Sequence, residues 1–597
     1  MHIKRVLLYA LPILFISSAF LFPSINANYL ETAIWLIIVL ALLVFRNEIR
    51  IKINRETIAI IAFAFAGLII SSFSNDLYTS FHKALFIIEV VSIFILLGSL
   101  GDRMVLDLSS KYLVILSSIF TIFAFTNYIE VGQLPYNYIS GIFGHSESYS
   151  VFICLPLFIA IYLIYHSSDR LRHVWSVCAG ILIVGLVLSG SYLPIIQALI
   201  FVLLGLTSQL KNFNFRLLGL TSQTVFFAII IYCLVIYGAR ANTLSYGQEY
   251  NDSLINKSYV TILQNSNTAR GYYILDGLFA FLNEPLKGHG LDSFDNALRL
   301  VKTGLYYGSD TASFSLFLHN LVEGGIIYFL IFVIFVCLLF LKFLRINRQE
   351  EIFAYLITLI LFSQLFHSIY GSGLNNNTSL LIWFVFAGLV YSLVLPNRIV
   401  ISYKTVSGKI ILQTTIALTI IIAMLEANLA RAVYYKQKAE PYLGSENNFA
   451  ILYLSKSLSY NSFDASTWYM LWKAYYLSNK LDQAQFAIKK ALDKSLNDSN
   501  YLYILANTEM ALDQKEDYRE YMIKSLKYDQ ISDIQRYLDL VQYDYEQNKY
   551  AEAISYGEKI VKIYEDFVKA GKENYRTISK SDIEIINKIK SLIKEMK

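Results

Sequence analysis

The chain has 597 residues, 56% of them hydrophobic and only 16% charged, with a mean hydropathy of +0.48. Soluble globular chains carry about 25% charged residues, so the composition excludes a wholly soluble protein. The net charge of +5 is small for this length and argues against a nucleic-acid partner, which needs a clustered basic face.

The imbalance is not uniform. Residues 1–432 read as apolar runs with short polar breaks, and residues 433–597 as a charged, Tyr-rich tail nearly free of Gly. The expected fold is all-α: a polytopic membrane helix bundle followed by a soluble helical-repeat domain. The first apolar run, Val6 to Phe22, follows His-Ile-Lys-Arg and lacks a small-residue cleavage site, so it reads as a retained span. A helix needs about 17 to 25 apolar residues to cross a bilayer. On that scale thirteen spans are expected, centred near residues 15, 38, 66, 91, 118, 157, 182, 200, 228, 333, 359, 387 and 418. The spans near 182 and 200 are separated only by Ser189-Gly-Ser-Tyr-Leu-Pro194. Cys154, Cys178, Cys233 and Cys337 all lie inside apolar runs and read as small buried hydrophobes, with neither metal-ligand nor disulfide spacing.

Alternate loops hold the cations: Arg46/Arg50/Lys52/Arg55, Arg103/Lys111, Arg170/Arg172, Lys211/Arg216, Lys342/Arg345/Arg348 and Arg398/Lys404/Lys409. Lys and Arg mark cytoplasmic loops, which puts the N-terminus inside. An odd number of spans then puts the long 239–312 loop and the tail outside, facing the bacterial periplasm or the equivalent exterior side. No ATP is available there, and no Walker or Rossmann glycine pattern is present. A group transfer on that side needs a donor that carries its own activation.

The outside loops carry the chemistry. The 239–312 loop holds six Lys/Arg and seven Asp/Glu, so it is no general cationic sponge and individual placement matters. Arg270 leads an aromatic, apolar run, Tyr272 to Leu282, that suits a helix lying in the membrane interface. Its guanidinium stays charged and can grip phosphate oxygens bidentately. Arg240, just past a span, is a second candidate. Farther on, His319 and Glu323 are four apart and share a helix face. A carboxylate there can fix the imidazole's tautomer, and the imidazole can accept a proton near neutral pH. His145, His289 and His367 also lie in outside loops, and Lys287 in the turn before His289. Each of these is also readable as a surface or structural residue.

The tail carries a repeat. Trp468-x2-Leu471-Trp472-x2-Tyr475 followed by Ala484-x3-Ile488-x2-Ala491 matches tetratricopeptide spacing. A shift of 34 residues finds Leu502, Leu505, Ala506, Tyr518, Met522 and Ser525, and a further 35 finds Tyr537, Leu540, Val541, Ala553 and Ile560. Ala450 and Leu454 form an upstream half-match. Three such repeats can bury a continuous core, as a cap on the membrane domain or as a docking surface.

Arg270, followed by Asn283-Glu-Pro-Leu-Lys287-Gly288-His289-Gly290-Leu-Asp-Ser-Phe294, resembles a signature of the O-antigen ligase and polymerase superfamily. Glu323-Gly-Gly-Ile-Ile resembles the helix after that family's periplasmic loop. Ser189-Gly-Ser-Tyr and Gly141-Ile-Phe-Gly-His145 fall where the family has further turns, so the resemblance covers roughly residues 110 to 395. It implies metal-independent, cofactor-free transfer of a glycan from a polyprenyl (undecaprenyl) diphosphate carrier to an acceptor hydroxyl. Arginines, here Arg270 and Arg240, hold the diphosphate, and a histidine, here His319 with Glu323, is the base. Two departures stand out. The arginine of the family's S-R-G turn is Tyr192 here. The register of its His-Asn falls on Phe314, five residues before His319-Asn320, or about 140° around a helix. Ligases act on lipid A core sugars, polymerases on repeat units and O-oligosaccharyltransferases on proteins, and the shared signature does not separate them. The ligase-like branch is taken first. A flippase or transporter is the alternative of another class, but no internal duplication is visible and ionisable residues in the spans are few. A scaffold built around the repeat tail is the third reading.

Overall fold

The computed structural model describes residues 2–21, 27–52, 54–131, 146–191, 193–206, 231, 274–301, 315–344, 346, 351–369, 371, 373–374, 376–394, 400–402, 405–529, 533–569 and 580–597. These residues are almost entirely helical. The first region contains α1 (His2–Leu21), α2 (Ala27–Val44), α3 (Arg55–Ser71), α4 (Leu77–Leu100), α5 (Arg103–Val131), α6 (Ser146–His166), α7 (Asp169–Leu188) and α8 (Leu193–Leu206). After α9 (Ile274–Asn283) come α10 (Phe294–Val301), α11 (Leu316–Phe343), α12 (Ile352–His367), α13 (Asn377–Leu393) and α14 (Val406–Ala439). Every expected span centre falls inside one of these helices except that near residue 228, which lies outside the described residues. Seven of them, α1, α4, α5, α6, α7, α11 and α14, are long and apolar enough to cross a membrane; several others are shorter.

Close helix contacts rest on small residues, the usual means of approach where a hydrophobic driving force between helices is weak. Gly388 of α13 lies against the backbone of Phe94 in α4, and Gly185 of α7 faces Tyr149 of α6, whose hydroxyl meets Thr121 of α5 at 2.9 Å. Side chains facing away from these contacts stay apolar. Cys154 and Cys178 are buried as expected, but Cys337 is exposed. It belongs to an outward stripe of α11, with Ile327, Leu330, Ile334 and Leu341, at helical spacing. Cys233 lies outside the described residues.

The two ends of the bundle differ. At one end β1 (Arg50–Lys52) pairs antiparallel with β2 (Val400–Ser402), Ile51 opposite Ile401. Lys4 meets Glu48 at 2.9 Å and Arg103 meets Glu351 at 3.8 Å there. Loops that the charge pattern assigns to one side therefore share one end of the bundle. At the opposite end the α3–α4 turn receives the tail: the Leu496 N–H donates to the Asn75 carbonyl at 2.8 Å, and Asp76 bridges Ser495.

Helix α14 passes Ala432 without a break and leads into the tail. There α15 (Asn447–Tyr460), α16 (Ala465–Leu477), α17 (Leu481–Lys494), α18 (Ser499–Ala511), α19 (Lys515–Tyr528), α20 (Gln535–Glu546), α21 (Tyr550–Lys569) and α22 (Lys580–Met596) follow. Leu471, Ala484, Ile488, Ala491, Leu502, Leu505, Ala506, Met522, Leu540 and Ala553 are all buried, so the repeat pattern reads the core correctly. The turns repeat as well. Asn479, Asp513 and Asn548 each adopt φ near +60°, at intervals of 34 and 35 residues, where a short polar side chain tolerates the left-handed region.

Candidate functional site

Helix α9 ends where Pro285, which has no N–H to donate, forces a turn. Leu275, Leu278, Phe279, Leu282 and Leu286 face outward, while Asp276 and Ala280 are buried. The exposed apolar face fits the expected interfacial helix. Ala280, Phe294, Ala297, Leu298, Leu318 and Val322 form a small separate core that packs α9 and α10 on the first turns of α11.

Helix α11 is broken at Gly325, whose φ of 68° and ψ of −178° are not helical. The break frees backbone groups, and the 285–290 turn takes them up. The His289 N–H donates to the Val322 carbonyl at 3.1 Å, the Gly290 N–H to the Glu323 carbonyl at 2.9 Å, and the Ile326 N–H to the Pro285 carbonyl at 2.9 Å. Gly288 (φ 65°) sits so close that a Cβ there would overlap the Glu323 carbonyl, and one on Gly325 would meet the Leu286 carbonyl. One glycine of each sequence motif, Gly288 and Gly325, is thus required by one contact. The turn and the Glu-Gly-Gly step are halves of a single structural unit.

That unit holds the His319–Glu323 pair. His319 Nδ1 lies 3.4 Å from Glu323 Oε1, and the same oxygen accepts the Phe294 N–H at 3.3 Å. The Phe294 ring stacks on the imidazole at 4.0 Å and 10°. The ring is therefore held on three sides: by its own helix, by the carboxylate one turn on, and by the aromatic from the neighbouring segment. His319 Nε2 is buried and has no hydrogen-bond partner among the described residues. Leaving a buried polar atom unpaired costs about 1–3 kcal/mol, so such an atom calls for an explanation.

The other candidates divide. His289 is buried, its Nε2 committed to the Ala280 carbonyl at 2.8 Å, and so it ties the turn to α9. Lys287 is exposed, 3.4 Å from Glu284. His367, buried at the end of α12, reaches Gln197 with Nδ1 (2.9 Å) and Glu147 with Nε2 (3.0 Å). The segment after His367 abuts the start of α11, where the Leu316 N–H donates to the Ser368 carbonyl at 2.9 Å. Arg270, Arg240 and His145 lie outside the described residues.

The tail reaches the same unit. A crevice between them is lined by Asp76, His289, Ser293 and Arg299 on one side and by Ser495 and Tyr528 on the other. Asp76 caps α4 through the Thr79 N–H at 3.1 Å. Burial, then repulsion from Asp464 and Asp498 of the tail, raise its pKa against the Thr79 hydrogen bonds. Beside it, a largely apolar cavity of about 790 Å³ lies between α3, α4, α14 and the tail, lined by Leu77, Phe81, Leu425, Leu429 and Phe463.

Sequence reading missed the Phe294 stacking, the Glu147–Gln197–His367 network and a buried group of Glu31, His82, Glu89 and Glu426. Only the last had a visible signal, single charges inside apolar runs.

No protein-family model matches the chain. No curated protein matches it either. Among solved structures, it is similar to YrrB, a TPR protein with an unusual peptide-binding site, at 17% identity and a TM-score of 0.21, covering 27% of this chain and 86% of that one. It is also similar to the MamA protein, at 16% identity and a TM-score of 0.22, covering 28% of this chain and 93% of that one.

Proposed function

We propose that the chain is a membrane glycosyltransferase of the O-antigen ligase type. It would move a glycan from a polyprenyl diphosphate carrier to an acceptor hydroxyl on the periplasmic face of a bacterial inner membrane. The reading takes thirteen spans, a cytoplasmic N-terminus and a periplasmic tail. The observation that carries it is His319: its Nδ1 faces Glu323, its ring is clamped by Phe294, and its Nε2 is without a partner among the described residues.

In this reading the Glu323 carboxylate keeps the Nδ1–H tautomer, which leaves the Nε2 lone pair to take the acceptor's proton. The acceptor oxygen forms a bond to the anomeric carbon as that carbon's bond to the diphosphate breaks, and the diphosphate leaves with the bonding electrons. Arg270 and Arg240 stabilise the charge on the departing phosphates. The crevice between the tail and the 289–299 segment places a helical-repeat surface beside this site, which favours a bulky acceptor over a small one.

The test uses the purified full-length protein, a labelled polyprenyl-diphosphate glycan and a crude envelope fraction as acceptor. The wild type is expected to form product, His319→Ala to lose about 10²- to 10⁴-fold in rate, and Arg270→Ala to lose transfer at unchanged protein abundance. A wild type that forms no product, or a His319→Ala variant at full rate, overturns the proposal. Whether the labelled product is lipid A core, lengthened glycan or protein separates ligase, polymerase and O-oligosaccharyltransferase.

A further inference from the structure

Three helices bring carboxylates and an imidazole together away from the His319 pair. Glu31 of α2, His82 of α4 and Glu426 of α14 present ligand atoms that all lie within 4.8 Å of one another. Glu89 lies two turns along α4 from His82. Glu31 is 1% exposed, and Glu89 and Glu426 are wholly buried. Both oxygens of Glu89 and of Glu426 lack a hydrogen-bond partner among the described residues. Glu31 Oε2 lies 2.7 Å from His82 Nε2, which also meets Asn28 Nδ2 at 2.9 Å. No Lys or Arg pairs with any of the three among the described residues; the adjacent Lys83 points to Asn377 Oδ1 at 3.0 Å. Carboxylates removed from water without donors or counter-charge are among the least tolerated groups in a protein interior.

We infer that Glu31, His82 and Glu426 form a divalent-cation site, and that Zn²⁺ suits it best. A 2+ ion balances Glu31 and Glu426 while His82 binds neutral, so the site carries no net charge into the apolar interior. One imidazole nitrogen with carboxylate oxygens is a donor set that Zn²⁺ accepts, at ligand distances of about 2.0–2.2 Å. Tetrahedral ligands at that range sit about 3.3 Å apart, so binding needs only small side-chain shifts within the cluster, with the 2.7 Å Glu31–His82 contact opening slightly. The ion would join α2, α4 and α14, and so pin the helix that carries the tail to the bundle. This site is independent of the transferase reading and takes no part in that chemistry.

The test starts from full-length protein in detergent or nanodiscs, stripped with EDTA, dialysed against ZnCl2 and washed over a desalting column. Bound metal is measured by plasma mass spectrometry and thermal unfolding is followed in parallel. One equivalent of zinc per chain and a midpoint raised by several degrees are expected. Glu426→Gln and Glu31→Gln, which keep shape and remove charge, are expected to weaken binding at least 100-fold against a chromophoric chelator, while His367→Ala, at a separate His–Glu contact, retains the equivalent. Folded wild-type protein that retains no zinc after the column, or that retains it without a rise in the midpoint, overturns the inference, and because that outcome is read on the wild type alone, a variant that fails to fold does not rescue it.

Discussion

Replacing Gly288 by Ala tests whether the glycine turn and the helix break form one unit. The new Cβ has no room, because it would overlap the Glu323 carbonyl, and the backbone there is at φ 65°. A non-glycine residue in the left-handed region costs about 1–2 kcal/mol. To clear the overlap the turn must withdraw, which breaks three inter-segment bonds: His289 N–H to Val322, Gly290 N–H to Glu323 and Ile326 N–H to Pro285. At about 0.5–1.5 kcal/mol each, those add about 2–4 kcal/mol. The docked turn should therefore weaken by about 3–6 kcal/mol, and since about 1.4 kcal/mol is a factor of ten, the His289 and Gly290 amides should exchange hydrogen at least about 100-fold faster. Exchange mass spectrometry on the full-length protein in nanodiscs reads this directly. Peptides from the repeat tail serve as the internal control, because a global loss of folding would accelerate them too. Unchanged protection across 285–290, with the tail also unchanged, would refute the joint packing of the two motifs.

Leu505→Ala removes a side chain fully buried between α17 and α18, beside Ile488 and Ala491. Leu-to-Ala changes in cores cost about 2–5 kcal/mol, so tail unfolding followed by the fluorescence of Trp468 and Trp472 should shift to markedly lower denaturant; an unmoved midpoint would contradict the repeat core. Asp76→Asn concerns pH. Burial raises the Asp76 pKa in the folded protein, so its favourable contribution is complete below the ordinary carboxylate value, is lost as pH rises through the raised value, and above it the buried charge opposes docking of the tail. The variant, which keeps an N-cap side chain, should melt higher than wild type at pH 7 and no higher at pH 3.5; the reverse order would show the charge to be stabilising.

The bundle was legible because its signal is simple. An apolar run of bilayer length needs no partner to be read, and the run centres within the described residues fall in helices even where Ser189 to Pro194 is the sole interruption. The alternation of cations was legible for the same reason, and the pairing of Ile51 with Ile401 puts two of those loops at one end. In the tail, Leu471, Leu505 and Leu540 recur at the spacing of one helix pair, so each repeat confirms its neighbour before any contact is seen.

The site was legible only in pieces. Gly324-Gly325 inside an apolar helix reads equally as small-residue packing, and nothing local says that the helix breaks there to receive a turn from some 35 residues upstream. The five-residue offset of His319 against the family register suggested a wrong face. Yet the direction of the ring is decided by neighbours: Glu323 one turn on and Phe294 stacked against it. Phe294 sits there because Gly288 lets the turn approach the broken helix. A register counted along one helix cannot contain that information, since the partner that fixes the side chain arrives from another segment. The same logic applies to Glu31, His82 and Glu426. Each lies in a different apolar run, and only the packing of α2, α4 and α14 turns three separate liabilities into one shared polar centre.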